Sequence, residues 1–572
     1  MPMEKKWHIH QPDKKLVDKI SRAIKCRPVI ASILVNRGIF SVKEAHAFLN
    51  ISIDDLRPPF SIKDIEIAAN RIYDAILRRE KILIFGDYDA DGVTSTALLM
   101  EFFRYTKADV SYYIPDRLKE GYGLQKKHIS EIALPNNINL IITVDCGSSS
   151  NEAVIAANDA DIDIIITDHH IVPEKLPEAL AIISPKRSDC SSGLSNLAGV
   201  GVAFYLVIYL RKYLRDLHFW DTHPEPNLKN LCDLIALGTV ADMVPLLGEN
   251  RVFTKIGLDL INSGSRIGIS ALLKAGNYRD RLDSEDIAFR LAPRINAMGR
   301  IDNAKEAVEL LLTDNPHTAD NIARQMNLMN TKRQKIEKII FDDIIDYINK
   351  NPDILLCKSI ILSHHSWHEG VLGIVASKIV EKFQRPVVLF AQKDDIAKGS
   401  GRSTPYFNLY EGLAACSNVL EAFGGHSMAA GVKIKIQNIS LFKQVFENIV
   451  LKISQPEDLL SERYVDHELL FDDISTDFLD EIESLKPFGT GNPEPIFLAR
   501  NIRVISSSIV GENHRRMLLC SSSDKKEYFY NAIHFNIDKN LPEKTFYEHI
   551  AFRLRWNRWN GNKSIQLVIE NI

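Results

Sequence analysis

Three aspartates stand at alternate positions in one short segment, Asp87-Tyr88-Asp89-Ala90-Asp91-Gly92. The segment follows an apolar run at residues 81–85 that predicts a strand, and it precedes a helical pattern at residues 93–105. Carboxylates this close repel one another, and such a cluster is tolerated when cations neutralise it or when some members are protonated. The spacing therefore predicts a site that binds metal cations.

The segment has two other interpretations. The pattern D-x-D-x-D-G opens a calcium-binding EF-hand loop, but the twelfth position of that loop should be Glu and is Leu98 here. A predicted strand, rather than a helix, also precedes the segment. A plain Asp/Gly turn is the second alternative, and we favour the metal site over both.

Three further acidic positions follow predicted elements of the same region. Asp145 ends the apolar run 141–144, the triplet Asp168-His169-His170 ends the run 164–167, and Asp242 follows an apolar helix. Taken singly, each aspartate could be a helix cap and each histidine a structural residue. Adjacent histidines in a strand point to opposite faces, but in the loop beyond its end both can turn to one site. Because ligands of such sheets bind at the carboxyl ends of the strands, we expect these groups at one edge of one sheet.

The candidate ligands are carboxylates and imidazoles, without a cysteine. Oxygen ligands favour Mg²⁺ or Mn²⁺, and imidazole moves the preference towards Mn²⁺. Carboxylates that bridge two ions about 3.5–4 Å apart suit an in-line displacement at phosphorus. We therefore expect two Mn²⁺ ions, with Mg²⁺ as the alternative.

The elements around these motifs predict an α/β fold. Apolar runs rich in β-branched residues alternate with helical patterns, which is typical of a mostly parallel, doubly wound sheet. These runs lie at residues 81–85, 110–114, 140–144, 162–167 and 181–184.

The second half of the chain has a different pattern. Residues 325–348 contain no Gly or Pro and predict a long connecting helix, and a second α/β unit follows with strands at 359–362 and 386–390. A small closed β-domain such as an OB fold fits the remaining strand-like stretches. These stretches lie at 502–510, 517–520 and 564–570.

Composition and charge narrow the class of protein. The 572 residues are 45% apolar and 25% charged, so we expect a folded chain of about three or four domains. The formal net charge is −4, so a nucleic acid would have to bind in a local basic groove. The seven cysteines lack Cys-x-x-Cys spacing, which argues for reduced thiols and against a zinc ribbon. With no apolar signal core in the first seven residues and no apolar stretch of bilayer length, we expect a cytoplasmic protein without membrane contact.

The motifs resemble those of a known family. Four motifs of the DHH phosphoesterase superfamily are similar, in order, to residues 87–92, 144–147, 168–170 and 238–242. Within that superfamily the chain resembles the bacterial RecJ family of single-strand-specific exonucleases, from about residue 31 to the C-terminus. Further similar segments lie at residues 292–300, 370–377, 398–403, 423–431 and 487–495.

The resemblance divides the chain into five parts. We expect an N-terminal helical segment (1–60), a DHH catalytic domain with a parallel sheet (61–302), a connecting helix (303–350), a DHH-associated α/β substrate-binding domain (351–452) and a C-terminal OB-type single-strand-binding β-domain (453–572).

The resemblance also implies roles for residues of the catalytic domain. His170, with Asp168, would act beside the scissile phosphate. The metal ligands would be Asp87, Asp89, Asp91, Asp145, His169 and Asp242.

A second group of residues would bind the DNA end. Arg294 and His426 would contact the terminal nucleotide or its phosphate, and Arg300 is a further DNA-binding candidate. The pocket for the 5′ phosphate would consist of Arg117, Ser400 and Arg402.

Cations alternate with aromatic residues at positions 553–563. Arg555, Trp556 and Arg558 are candidates for binding DNA here, because such surfaces stack bases and hold phosphates along single strands. The alternative is an amphipathic strand with exposed arginine ends and a buried tryptophan. Both interpretations fit the sequence equally.

The chain departs from the family pattern at two positions. Lys378 stands where Arg is expected, which removes a bidentate fork. Tyr406 stands where Gly is expected, behind Arg402. Neither position lies in the metal motifs.

The resemblance implies a metal-dependent 5′-to-3′ exonuclease that releases 5′-mononucleotides from single-stranded DNA in DNA repair and recombination. Its expected partners are single-stranded DNA, a single-strand-binding protein and a helicase, and its expected state is a monomer. The alternative is a DHH phosphodiesterase acting on short oligonucleotides or cyclic dinucleotides. The C-terminal domain and the connecting helix argue against it, because a small substrate needs neither. A non-catalytic scaffold is disfavoured because every candidate ligand is present.

Overall fold

The computed structural model describes residues 7–278, 280–453, 463–511, 513–523, 526–537, 543–559 and 562–571. Residues 1–6, on which the signal-peptide expectation rests in part, lie outside this set, as do residues 560 and 561 of the aromatic segment. Within the described part of the chain, every helix is too short or too polar to cross a membrane.

A short strand and three helices form the N-terminal part. Asp13 caps the first helix by accepting from Lys15 N, and Ser41 and Glu44 form a capping box on the third. The elements are β1 (Trp7–Ile9), α1 (Lys14–Ile24), α2 (Pro28–Asn36) and α3 (Val42–Leu49).

Five parallel strands carry the aspartate motifs, in the order β3-β2-β4-β5-β6. Apolar side chains pack against both faces in two separate cores, and strands buried on both faces form continuous apolar runs, as the sequence pattern predicts. The elements are α4 (Ile65–Arg78), β2 (Lys81–Gly86), α5 (Ala90–Thr106), β3 (Asp109–Tyr113), α6 (Lys126–His128), β4 (Leu140–Val144), α7 (Asn151–Asn158), β5 (Asp163–Thr167) and β6 (Ala181–Ile183).

Helices complete this domain after the sheet. Two of them reach the aspartate motifs, because α8 begins and α9 ends beside them. The elements are α8 (Gly199–Asp216), α9 (Cys232–Ala241), α10 (Gly248–Ser263), α11 (Ile267–Ala275), α12 (Ser284–Asp286) and α13 (Ala292–Ile301).

Two helices, α14 (Lys305–Leu312) and α15 (Pro316–Lys350), connect the domains. The predicted connecting helix is real but begins at Pro316 rather than at residue 325, because proline fits a first helical turn and Asn315 caps it. The N-terminal half of α15 packs into the catalytic core through Ala323 and Met326, and its C-terminal half packs into the next domain. One continuous helix therefore joins the two domains.

The second α/β domain has a five-stranded sheet in the order β10-β11-β9-β8-β7, in which only β7 and β8 are parallel. Helix α16 covers one face of the sheet and α18 the other. The elements are β7 (Ile360–His364), α16 (Leu372–Phe383), β8 (Val387–Lys393), β9 (Ile396–Arg402), α17 (Leu409–Ala414), β10 (Ala422–Gly425), β11 (Ala429–Lys435) and α18 (Ile439–Ile453).

The C-terminal strands close into a barrel, because β17 pairs with both β18 and β14. Closure removes the sheet edges, as expected of an OB-type domain. The elements are β12 (Arg463–Val465), β13 (His467–Glu468), α19 (Thr476–Ser484), β14 (Phe497–Val510), β15 (His514–Ser523), β16 (Lys526–His534), β17 (Phe546–Trp559) and β18 (Asn562–Asn571). The predicted fold class is thus confirmed.

The N-terminal segment and the barrel share one hydrophobic core. Strand β1 pairs in parallel with β12, and Ile33 and Leu34 of α2 pack in the same cluster as Phe478 and Phe552. The sequence predicts the two ends of the chain as separate parts. It could not predict their pairing, because no local pattern signals a contact between residues about 450 positions apart.

Arg251 links the catalytic domain to this shared core. Its guanidinium lies 3.7 Å from the centroid of the Phe48 ring and donates to the carbonyls of Phe48, Leu485, Lys486 and Pro487 at 2.9–3.3 Å. The Arg251 side chain is buried, so water does not replace its hydrogen bonds to these carbonyls.

Replacing Arg251 with Ala should lower the first thermal unfolding transition by several degrees, because the loss of these bonds costs about 3 kcal/mol or more. The C-terminal barrel should also become easier to remove by limited proteolysis. Arg281→Ala is the control, since Arg281 makes an exposed ion pair with Asp259 and should change little. Equal behaviour of the two variants would contradict the assigned role.

Candidate active site

The aspartate loop leads from β2 into the first turn of α5. Asp89 caps the helix by accepting from Asp91 N at 3.0 Å and Gly92 N at 3.1 Å. The helix therefore begins at Ala90, earlier than predicted, and Asp91 lies in its first turn, where the helix dipole favours a carboxylate. A Cβ at Gly92 would stand 2.4 Å from the Asp87 carbonyl oxygen, which explains the glycine in the motif.

A second helix terminus fixes the Asp91 carboxylate. Gly199 N donates to Oδ2 at 2.6 Å and Val200 N donates to Oδ1 at 2.8 Å, both from the start of α8. A Cβ at Gly199 would stand 2.6 Å from Asp145 Oδ1. Gly199 was not singled out from the sequence. The glycines that open this apolar helix were the signal that could have found it.

Asp145 lies directly beyond β4 in a left-handed backbone conformation, with φ 61°. Among residues with a side chain, Asn and Asp tolerate this region best, and strained residues of this kind cluster at functional sites. The turn leaves the Asp145 carboxylate buried next to the aspartate loop.

Asp168 holds the turn beyond β5 rather than joining the other aspartates. Its carboxylate accepts from Ser148 N, His169 N and His170 N at 2.8–3.0 Å, and it contacts His170 Nδ1 at 2.8 Å. Both histidines can therefore turn to one site, as predicted. Asp168 acts as a positioning residue, because its oxygens are occupied by these donors.

The Asp168–His170 contact makes His170 a cation. Burial by itself would lower the pKa of His170, but the hydrogen bond to Asp168 and the charge of that carboxylate raise it to about 9. Burial would likewise raise the pKa of Asp168, and the same hydrogen bond holds it well below its usual range. At neutral pH the pair is an imidazolium and a carboxylate.

Six side chains converge at the carboxyl edge of the sheet in two neighbouring triads, each with ligand atoms within 4.8 Å of one another, and a third group of Asp145, His169 and His170 overlaps both. His169 Nε2 links the triads, at 3.1 Å from Asp145 Oδ1 and 3.6 Å from Asp242 Oδ2. One triad consists of Asp87, Asp89 and Asp145, and the other of Asp91, His169 and Asp242. All six positions proposed as metal ligands from the sequence are thus brought together.

The donor set fits divalent cations. Asp87 Oδ1, Asp145 Oδ1 and His169 Nε2 are buried without a hydrogen-bond partner among the described residues, so the two carboxylate oxygens and the acceptor nitrogen of the imidazole have lone pairs free for a cation. Burial, followed by the charge of Asp89, raises the pKa of Asp91 to about 7. Burial and the charge of Asp91 raise the pKa of Asp242 to about 8.

The histidine of the cluster is neutral. Burial and the charge of His170 lower the pKa of His169 to about 3, so its imidazole presents lone pairs at neutral pH. Buried carboxylates next to a neutral imidazole are the groups expected of a Mn²⁺ or Mg²⁺ site.

The second α/β domain approaches this cluster from across a cleft. His426 is exposed in the turn between β10 and β11, and its ring centroid lies 6.1 Å from that of His170. Tyr122 lies beside the same histidine, with its hydroxyl 3.3 Å from His170 Nδ1 and donating to Asp145 O at 3.3 Å.

Arginines from both domains meet next to the cluster. Arg117 stacks over the ring of Tyr88, with 5.1 Å from its guanidinium carbon to the ring centroid. Burial and the charge of Arg117 lower the pKa of Arg402 to about 10, and burial with the charges of Arg117, Arg402 and Arg333 lowers that of Arg300 to about 9. Mutually repelling, half-buried cations of this kind favour a bound anion.

The structure places Arg294 and Arg300, the two arginines predicted from residues 292–300, in different surroundings. Arg294 is buried against Tyr278, and it donates to Asn327 Oδ1 at 3.0 Å and to Arg290 O at 2.5 Å. Arg300 instead lies within range of the other arginines. The neighbouring Gly299 was the sequence signal for the position of Arg300. This glycine packs directly on Tyr88 of the aspartate loop.

The three DNA-binding candidates of the C-terminal segment, Arg555, Trp556 and Arg558, differ in their contacts and exposure. Arg555 is held by ion pairs with Glu494 and Glu285 at 2.6–2.7 Å, and Lys563 Nζ lies 3.6 Å from the Trp556 ring centroid. These contacts favour the amphipathic-strand interpretation for both residues. Arg558 is exposed.

Lys378 and Tyr406, the two departures from the family pattern, each form a contact with a nearby residue. Lys378 forms an ion pair with Glu337 of α15, which also pairs with Arg333. Tyr406 donates its hydroxyl hydrogen to Gln384 O at 2.8 Å, which anchors the loop behind Arg402.

Comparisons with known proteins agree with this geometry. Three family models match: the DHH family N-terminal domain at residues 81–239, the DHHA1 domain at 355–452 and the RecJ OB domain at 465–571. The single-stranded-DNA-specific exonuclease RecJ of Bacillus subtilis (strain 168) is 35% identical over 574 residues, which cover 99% of this chain and 70% of the relative. The protein of that name from Escherichia coli (strain K12) is 36% identical over 561 residues, covering 95% of this chain and 96% of the relative.

The chain belongs to the RecJ family. A crystal structure of RecJ in complex with Mn²⁺ from Thermus thermophilus superposes with a TM-score of 0.84 at 28% identity and covers 100% of this chain and 80% of that chain. A crystal structure of the Thermus protein with Mg²⁺ also matches. These findings confirm the family expected from the motifs. Mn²⁺ and Mg²⁺, the ions in the two Thermus structures, are also the ions that the ligand set of this RecJ-family chain predicts.

The carboxylate cluster predicts how stability responds to metal and pH. With a chelator, the wild-type protein should lose stability as the pH rises from about 4 to about 8 and change little above that, because Asp91 and Asp242 have raised pKa values of about 7 and 8 and keep protons in the folded state that the unfolded chain has already released. Mn²⁺ should restore the melting temperature most strongly at the higher pH.

Asp145→Asn tests the same cluster. The variant should melt at a higher temperature than the wild type in chelator and should respond less to Mn²⁺, because it lacks one repelling charge and one ligand. Asp259→Asn, at an exposed position of α10, is the matched control. An unchanged Mn²⁺ response in Asp145→Asn would argue against the assignment.

Proposed function

We propose that the chain is a metal-dependent exonuclease that hydrolyses single-stranded DNA from its 5′ end and releases 5′-mononucleotides. One juxtaposition carries the proposal: two ligand triads lie next to a set of half-buried arginines contributed by both domains. A strand whose terminal phosphate binds the arginines would bring its first phosphodiester bond to the triads.

We assign the metals to the six residues of the two triads. When bound, two divalent cations would stabilise the charge that develops on the phosphoryl oxygens and lower the pKa of the attacking water. The contact with Asp168 favours the protonated form of His170, whose imidazolium would donate to a phosphoryl oxygen. Tyr122 and Asp168 hold that ring in place.

The 5′ end would be read by Arg117, Ser400, Arg402 and Arg300. Ser400 and Arg402 are two positions apart on β9 and therefore point to the same face of the sheet, a hydroxyl beside a guanidinium fork. His426 would contact the terminal nucleotide. The C-terminal barrel would guide the rest of the strand, with Arg558 as its exposed cation.

The cellular setting follows from the same family expectation. We propose that the chain acts as a cytoplasmic monomer in DNA repair and recombination, together with a single-strand-binding protein and a helicase.

The first test is digestion of one long single-stranded DNA labelled at either end, with Mn²⁺, with Mg²⁺ and with chelator. The 5′ label should appear early as a mononucleotide, disappear with chelator and stay in place on blunt duplex. Asp89→Ala should abolish release, because it removes a ligand and a helix cap together. Hydrolysis of a dinucleotide without attack on the long strand would instead assign the chain to the small-substrate phosphodiesterases.

Arg402→Ala tests how the 5′ end is read. On strands with a 5′ phosphate the variant should lose about 10²-fold in kcat/KM, since a bidentate contact to phosphate is worth roughly 2–3 kcal/mol when buried. On strands with a 5′ hydroxyl the loss should be much smaller. Arg500→Ala is the control, because Arg500 is exposed on the barrel and pairs with Glu468. Equal losses on both strands would remove Arg402 from the pocket.

A further inference from the structure

A cleft of 490 Å³ continues outward from Arg117 and Ser400. Its volume is that of a small-molecule site, in the range of about 300–1,000 Å³, and exceeds what one phosphate group fills. The proposed function uses only its inner end, so the outer end has no assigned occupant.

The floor of the cleft is formed by β9, β10 and β11, on the side of the sheet away from α18. Ser400 pairs across the strands with Gly431, which pairs with Gly424, so the floor beside the serine hydroxyl lacks side chains. A ligand can therefore lie flat against the backbone here.

Two lysines stand at the outer end of this floor. Lys398 and Lys433 are direct cross-strand partners two residues beyond Ser400 and Gly431, and so lie on the same face, about 7 Å further along the strands. Like charges directly opposite each other destabilise a sheet. Lys398 is compensated by Glu369 at 3.1 Å, whereas the exposed Lys433 has no ion pair among the described residues.

We propose that this outer end is a polyphosphate subsite, which lets the enzyme start on strands that carry a 5′ triphosphate. The inference rests on the proposed function. The α phosphate would occupy the arginine pocket, and the β and γ phosphates would extend along the glycine floor to Lys433 and Lys398. The ligand class is a single strand whose terminal nucleotide carries a 5′ triphosphate.

The first product then differs from all later ones. Water adds to the phosphorus of the first phosphodiester, the bond from that phosphorus to the 3′ oxygen of the terminal nucleotide breaks, and the 3′ oxygen takes up a proton. The terminal nucleotide leaves as a nucleoside triphosphate, and the new 5′ end carries a monophosphate that enters the ordinary cycle.

The test compares first-turnover release from two otherwise identical single-stranded oligonucleotides, one with a 5′ triphosphate and one with a 5′ monophosphate. The wild type should release a nucleoside triphosphate from the first and a mononucleotide from the second. Lys433→Ala should slow triphosphate release by about fivefold or more and leave monophosphate release nearly unchanged, because it removes one charged contact. Lys398→Ala should have a smaller effect, and Glu369→Gln should speed triphosphate release.

Lys435→Ala is the matched control, since Lys435 lies on the same face of β11 but outside the cleft, in an ion pair with Glu421. Equal slowing of both substrates by Lys433→Ala, or a wild type that cleaves the monophosphate strand and ignores the triphosphate strand, would overturn the inference. If neither strand is cleaved, the proposed function fails instead.

Discussion

Mutual repulsion among buried carboxylates is the constraint on which the catalytic domain depends. Asp87, Asp91 and Asp145 are almost fully buried and lie in adjoining triads, so burial and the charges of neighbouring carboxylates raise their pKa values. The surroundings compensate with N–H groups at two helix starts, α5 and α8. What remains uncompensated is a set of lone pairs on Asp87, Asp145 and His169, and divalent cations are the chemical species that suit them.

The neighbouring cations are kept from neutralising this cluster. Arg117 stacks on the ring of Tyr88 instead of pairing with the aspartates on either side of it. Arg300 donates to the carbonyl oxygen of Gly370 at 3.3 Å. If these guanidinium groups formed ion pairs with the aspartates, they would occupy the ligand atoms and lose their own affinity for phosphate. Opposite charges in adjacent positions therefore prepare one surface for metal and the next for an anion.

Such a site requires that the two domains keep their relative position to within a fraction of an ångström, because the ligand candidates lie in the catalytic domain and the proposed phosphate contacts come from both domains. Helix α15 is continuous between the domains and packs into both cores. Arg251 ties the catalytic domain to the barrel, and the barrel shares its core with the N-terminal helices. The long chain segments outside the catalytic sheet thus contribute to its geometry as well as to the substrate path.

Local sequence determined the parts of this protein whose signals are short-range. Apolar runs that end in acidic residues predict the parallel strands, the aspartate loop, the Asp168–His169–His170 turn and most of the proposed ligand set, because parallel strands bring their carboxyl ends to one edge. Only the tertiary structure decided which long-range neighbours each residue meets. It buried Arg294 against Asn327 while leaving Arg300 in the electrostatic field of Arg117, engaged Arg555 with Glu494, and joined β1 to β12. Those outcomes depend on contacts between segments tens to hundreds of residues apart, and no local period or motif encodes such contacts.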